Sequence, residues 1–174
     1  MISKDLFQKI FSQYAQMPGG THGISHWARV LENGRLIASR TEANLHVVEL
    51  FSVFHDSRRL TEKRDPNHGQ RGADLAVALR GTYFDVSDEE FNLLYDACVR
   101  HTDGETMADI TIQTCWDSDR LDLGRVNIIP HSDKLCTLAA KDPDVIAWAL
   151  KRSVERFEPE LMMTEWGINI HLKN

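Results

Sequence analysis

The stretch LHVVELFSVFHD, residues 45–56, decides the fold. Leu45, Val47, Val48, Leu50, Phe51, Val53 and Phe54 are apolar almost all round a helical projection. A surface helix keeps one polar face, so this pattern predicts a central helix buried on most sides. His55 and Asp56 come next. Carrying an imidazole and a carboxylate into an interior is costly unless they are paired or bind a cation. A lone His-Asp pair also fits a capped helix end with a hydrogen-bonded histidine.

Working outward, the same placement recurs. Phe91, Leu94 and Cys98 share a helical stripe, and His101 is its next member. Ile112, Cys115 and Trp116 form another, continued by Asp119. His26 begins a helix, with Arg29 one turn on along the same face. His68 precedes Gly69, Gly72, Ala73 and Ala76, small residues that let another backbone pack closely. Each residue alone reads as a satisfied polar group. Six of them on five segments, all at the ends of apolar stripes, point to one convergent site.

The remaining sequence supports an all-α, single-domain helical bundle over residues 1–174. The dominant period is helical and no alternating strand is visible. Ser25 precedes a helical run through Trp27, Val30, Leu31, Ile37 and Ala38. Ser87 with Glu90 reads as a capping box, and Asp142-Pro143 opens a later helix. Breakers at 17–20, 64–69, 81, 103–104 and 124 divide the chain into six or seven helices, with no repeat or linker.

The 174 residues are 42% hydrophobic and 26% charged with ten Gly and five Pro, which excludes collagen-like and disordered classes. A chain of this size buries roughly 70% of its unfolded surface, enough for a core without disulfides. The net charge of −6 argues against duplex nucleic acid as a partner, since that needs a basic face. Cys98, Cys115 and Cys136 show no CxxC pairing and read as reduced, buried thiols of a cytoplasmic protein. Met1–Tyr14 is amphipathic, where a signal peptide would be unbroken apolar sequence. No window approaches eighteen consecutive apolar residues, so no membrane span is expected. A homodimer is the default expectation for a soluble oligomer.

With these residues in view, the sequence resembles the HD-domain metal-dependent phosphohydrolases, whose pattern is H, then HD, then a distant D on successive helices. Here those are His26, His55-Asp56 and Asp119. His26-Trp27-Ala28-Arg29-Val30 looks like the family's first motif and Asp117-Ser118-Asp119-Arg120-Leu121-Asp122 like its last, in which the ligand is the Asp before Arg-Leu. The match covers a core of about 22–124 and leaves a C-terminal helical extension, 125–174. A subset of the family, including symmetrical dinucleoside tetraphosphate hydrolases, adds two His and a second metal. His68 and His101 fit those positions. The resemblance thus implies His26, His55 and Asp119 on one ion, His68 and His101 on the other, and Asp56 bridging. A mononuclear site would keep only His26, His55, Asp56 and Asp119.

Imidazoles with carboxylates suit divalent Fe, Mn, Zn, Co or Ni, and the ligands do not choose among them. Two ions roughly 3.5 to 4 Å apart can clamp phosphate oxygens and generate a hydroxide nucleophile. The expected activity is therefore hydrolysis of a phosphoester or phosphoanhydride in a nucleotide or other small phosphorylated molecule, with Asp56 and His55 as catalytic residues. An HD-type diiron oxygenase and a non-catalytic metal or nucleotide sensor are the alternatives. Arg29 and Arg59 are the expected phosphate contacts, with Arg58 and Arg71 weaker candidates, although 58–64 also reads as a solvated loop. Arg120 is expected to pair with a carboxylate, and Trp116, Trp148 and Trp166 to lie in the core. Asp103 and Asp122 read as caps or proton-transfer groups, and His22 as part of a turn or the site entrance. His46, His131 and His171 are expected to be exposed or capping. Four of the eight histidines thus fall to one site, and two ions there would give an acidic chain a locally positive pocket.

Overall fold

A computed structural model describes residues 2–168. His171 lies outside the described residues. The described chain is helical, with one isolated bridge between Arg80 and Phe84 and no strand. Its α-helices are α1 (Lys4–Phe11), α2 (Ile24–Ala38), α3 (Leu45–Phe54), α4 (His68–Leu79), α5 (Asp88–Arg100), α6 (Ile110–Arg120), α7 (Pro143–Val154) and α8 (Leu161–Thr164). Two 3-10 turns, Leu123–Val126 and Ser132–Lys134, separate α6 from α7. No helix among the described residues is long and apolar enough to cross a membrane.

The 45–56 stretch is the central helix its pattern predicts. Every residue from Val47 to Phe54 is buried, including Glu49 and Ser52, while Leu45 at the outer end is exposed. The α3 helix packs against α1, α2, α4, α5 and α6, which explains why it retains no polar face. Asn44 caps its start by accepting from the His46 and Val47 amides.

Ser87 and Glu90 form the reciprocal capping box, and Asp142 caps α7 with Pro143 at its first position. The second helix starts slightly earlier than its sequence cue, with Gly23 as the N-cap in place of Ser25. Trp116 and Trp166 are fully buried, but Trp148 is 37% exposed. On α7 it lies under the Arg152 guanidinium, so the core position expected for it does not hold.

Two glycines set the approach of α4 to the ends of its neighbours. A Cβ on Gly69 would stand 2.2 Å from the Cys98 carbonyl oxygen, and one on Gly72 2.2 Å from that of Phe54. Only glycine permits these contacts, which draw the C-terminal ends of α5 and α3 onto α4. Those ends carry His101 and His55-Asp56.

Candidate metal centre

All six sequence candidates meet at one place. His26 and His68 come from the first turns of α2 and α4, His55-Asp56 and His101 follow the last turns of α3 and α5, and Asp119 lies in the last turn of α6. Five are buried residues, and the Asp119 side chain is 14% exposed.

The ligand atoms fall into two groups that share Asp56. In the first, His26 Nε2 lies 3.1 Å from His55 Nε2 and 3.4 Å from Asp56 Oδ2. Asp119 Oδ1 faces the same imidazoles at 3.5 and 3.9 Å. In the second, His68 Nε2 lies 2.9 Å from His101 Nε2 and 3.1 Å from Asp56 Oδ1. One carboxylate therefore presents its two oxygens to two pairs of histidines.

The outward nitrogens fix the tautomers. His26 Nδ1 donates to Asp122 Oδ2 at 2.7 Å, His55 Nδ1 to the Phe51 carbonyl at 3.1 Å, and His101 Nδ1 to the Cys98 carbonyl at 2.7 Å. His68 Nδ1 donates to the Asp65 carbonyl. Every acceptor is an oxygen, so each Nδ1 carries the proton and each Nε2 presents a lone pair inward. Facing lone pairs near 3 Å repel unless a cation stands between them. Burial pushes His55 down to about 3 and lowers His101 as well, which disfavours a proton in that role. Asp119 Oδ1 is buried without a hydrogen-bond donor. Burial opposes its charge, but Arg125 and the neighbouring imidazoles hold its carboxyl well below the usual range. The donor set therefore fits divalent metal.

The neighbouring carboxylate Asp117 is buried for another reason. It accepts from the Cys136 and Thr137 amides and from the Thr137 hydroxyl, tying the segment after α6 to that helix.

The arginines correct several expectations. Arg29, expected to contact phosphate, has its guanidinium committed within the chain: its Nε and NH2 donate to Asp122 at 2.6 and 3.0 Å, and its NH1 to the Phe157 carbonyl at 2.9 Å. It is 3% exposed and positions Asp122, which in turn orients His26. Arg71 donates to Asp65 and the Arg58 carbonyl, and Arg58 to the Gln13 carbonyl. Arg120 donates to the carbonyls of Lys134 and Glu105 in place of a carboxylate. Arg59 is buried, with NH1 3.2 Å from Asp56 Oδ1 and 3.1 Å from His68 Nε2.

Asp122 does not act as a side-chain cap; it is a buried partner of both His26 and Arg29. Arg125, which the sequence reading passed over, lies 3.5 Å from Asp119 Oδ1. The only cue for both was their position just after the Asp-Arg-Leu motif. His22 is half-buried and pairs with Glu62 at 2.7 Å, while its carbonyl accepts from Trp27 and Tyr14, so it belongs to a held turn. His46 is half-buried and His131 exposed.

A cleft of about 440 Å³ opens beside the second group, lined by Arg59, Arg64, Asp65, Pro66, His68, Thr102 and Asp103. A larger groove, about 620 Å³ and bordered by Arg35, Arg40 and Trp148, contains none of the candidate ligands.

The structure is similar to the crystal structure of a predicted HD superfamily hydrolase from an uncultured Thermotogales bacterium. The two chains are 27% identical with a TM-score of 0.62, and the match covers 94% of this chain and 91% of that one. No family model matches the chain, and no curated protein does. The all-helical fold matches that of this predicted HD superfamily hydrolase, in agreement with the resemblance carried by His26, His55-Asp56 and Asp119, and the likeness supports a hydrolase of general HD type.

Proposed function

We propose that this chain is a metal-dependent phosphohydrolase that cleaves a phosphoester or phosphoanhydride of a small phosphorylated molecule such as a nucleotide. The observation that carries the reading is the shared carboxylate: Asp56 turns one oxygen to His26 and the other to His68. Divalent ions such as Fe, Mn, Zn, Co or Ni would suit this set: His26, His55 and Asp119 would hold one and His68 and His101 a second, with Asp56 available to both.

When bound, such ions neutralise phosphate charge and lower the pKa of water. The chain's own groups do the rest. Asp122 and the Phe51, Asp65 and Cys98 carbonyls keep the four Nδ1 protons directed outward, so the ligand atoms need not reorganise. Asp56 and His55 are the catalytic residues by virtue of holding the ions. Arg64, exposed at the cleft, is the guanidinium available to orient phosphate oxygens, while Arg59 borders the same cleft with its nitrogens engaged on Asp56, His68 and the 61–63 backbone. Thr102 and Asp103 line the same cleft.

The test is phosphate release from a panel of nucleotides and other small phosphomonoesters by Mn2+-loaded protein, with Asp56→Ala as control. Metal-dependent release lost in the variant is expected. A well-folded, metal-loaded protein that releases no phosphate from any member would sink this reading.

A further inference from the structure

The two histidine pairs differ in one respect. Among the described residues no cationic side chain intervenes between His26 and His55, and Arg125 approaches that group only at Asp119 Oδ1, at 3.5 Å without a hydrogen bond, whereas the His68 and Asp56 atoms of the second group already receive the Arg59 guanidinium. Because His68 Nδ1 is committed to the Asp65 carbonyl, its Nε2 is an acceptor, and Arg59 NH1 donates to it at 3.1 Å and to Asp56 Oδ1 at 3.2 Å. The rest of the guanidinium is also engaged, NH2 on the Lys63 carbonyl at 2.8 Å and Nε on the Thr61 carbonyl at 3.3 Å. The side chain is 8% exposed, so this is a built seat for a guanidinium.

We infer that Arg59 is an internal cation occupying the ligand atoms of the second metal position, so the first ion binds at His26 and His55 and a second binds only by displacing Arg59. The inference rests on the metal-centre reading but not on the reaction proposed for it. An ion approaching His68 Nε2 and Asp56 Oδ1 competes for the lone pairs that NH1 now uses. The guanidinium is planar and rigid, so NH1 cannot leave without loosening the bonds from NH2 and Nε to the 61–63 backbone. The freed group borders the cleft that Arg64 shares. Second-ion occupancy thereby releases a guanidinium toward an anionic ligand, and the chain passes between a one-ion and a two-ion form through one residue.

Calorimetric titration of metal-free protein with Mn2+ tests this. Wild type should bind one ion tightly and a second at least about tenfold more weakly. Arg59→Gln should tighten the second ion by about tenfold or more and leave the first nearly unchanged, and Arg59→Lys, which keeps the charge without the fork, should fall between. Hydrogen exchange on wild type gives a readout independent of the variants: the second equivalent should speed exchange in residues 60–64. Equal affinities in wild type, a weaker second ion in Arg59→Gln, or exchange that is unchanged or slowed at the second equivalent would overturn the inference. Failure of any ion to bind would remove the metal-centre reading and this inference together, whereas two ions indifferent to Arg59 would remove only the inference.

Discussion

His26 Nδ1 lies 2.7 Å from Asp122 Oδ2, and this bond determines that Nε2 is the nitrogen facing Asp56 and His55. Asp122 is itself locked by two hydrogen bonds from Arg29. Asp122→Asn keeps the shape but can offer an NH2 where a carboxylate stood, which would favour the opposite tautomer of His26. The expected result is a loss of roughly 10- to 100-fold in affinity for the first ion, measured by calorimetry, with the helical circular dichroism retained.

The Asp117 and Asp119 carboxylates separate fold from site. Asp117 satisfies two backbone amides and the Thr137 hydroxyl, while Asp119 Oδ1 has no hydrogen-bond donor among the described residues and only the Arg125 guanidinium at 3.5 Å. Asp117→Asn should cost about 1 to 3 kcal/mol in urea unfolding, because buried donors lose a strong acceptor, and leave ion stoichiometry intact. Asp119→Asn should weaken the first ion while changing metal-free stability far less.

Gly72 should not tolerate a methyl group. The Cβ of Gly72→Ala would meet the Phe54 carbonyl oxygen at 2.2 Å and that of His55 at 3.2 Å. Moving α4 outward to relieve this costs on the order of 1 to 3 kcal/mol and draws His68 away from Asp56. Thermal unfolding and second-ion affinity should both fall. Gly19→Ala, where a Cβ meets nothing within 4 Å, is the control that should change neither.

Ion binding should stabilise the chain, since the unfolded state has no preformed site. At about 100 times the dissociation constant the gain is roughly 2.7 kcal/mol, or about 5 to 10 degrees in the melting temperature of a domain this size. A chelator should reverse the shift, and Asp56→Ala should show little of it. A melting temperature indifferent to Mn2+ in wild type would contradict the two lone-pair clusters as metal seats.

Much of the site was legible because its ligands extend apolar stripes. Periodicity placed His101 after Phe91, Leu94 and Cys98, and Asp119 after Cys115 and Trp116, and burial of the stripes carried the polar ends inward. The central helix was legible for the same reason, since a segment apolar all round can only be covered by its neighbours. The partners of the ligands were not. Arg29 and Asp122 are 93 positions apart, and their pairing depends on how α2 meets the end of α6, so the sequence alone suggests a phosphate contact at Arg29 and a cap or proton-transfer group at Asp122. Local spacing also could not tell that Arg59 turns back onto Asp56, three residues before it, with its outer nitrogens on loop carbonyls. Trp148 misled in the opposite sense: its stripe is real, but α7 lies at the periphery and Arg152 covers the ring from outside.

The central claim is that Asp56 joins two metal positions. Elemental analysis of protein loaded with Mn2+ and freed of excess metal measures ions per chain directly. The stoichiometry should reach two at saturation in wild type and collapse for both positions in Asp56→Ala. A wild-type chain that retains no ion, or an Asp56→Ala chain that still retains two, would contradict it.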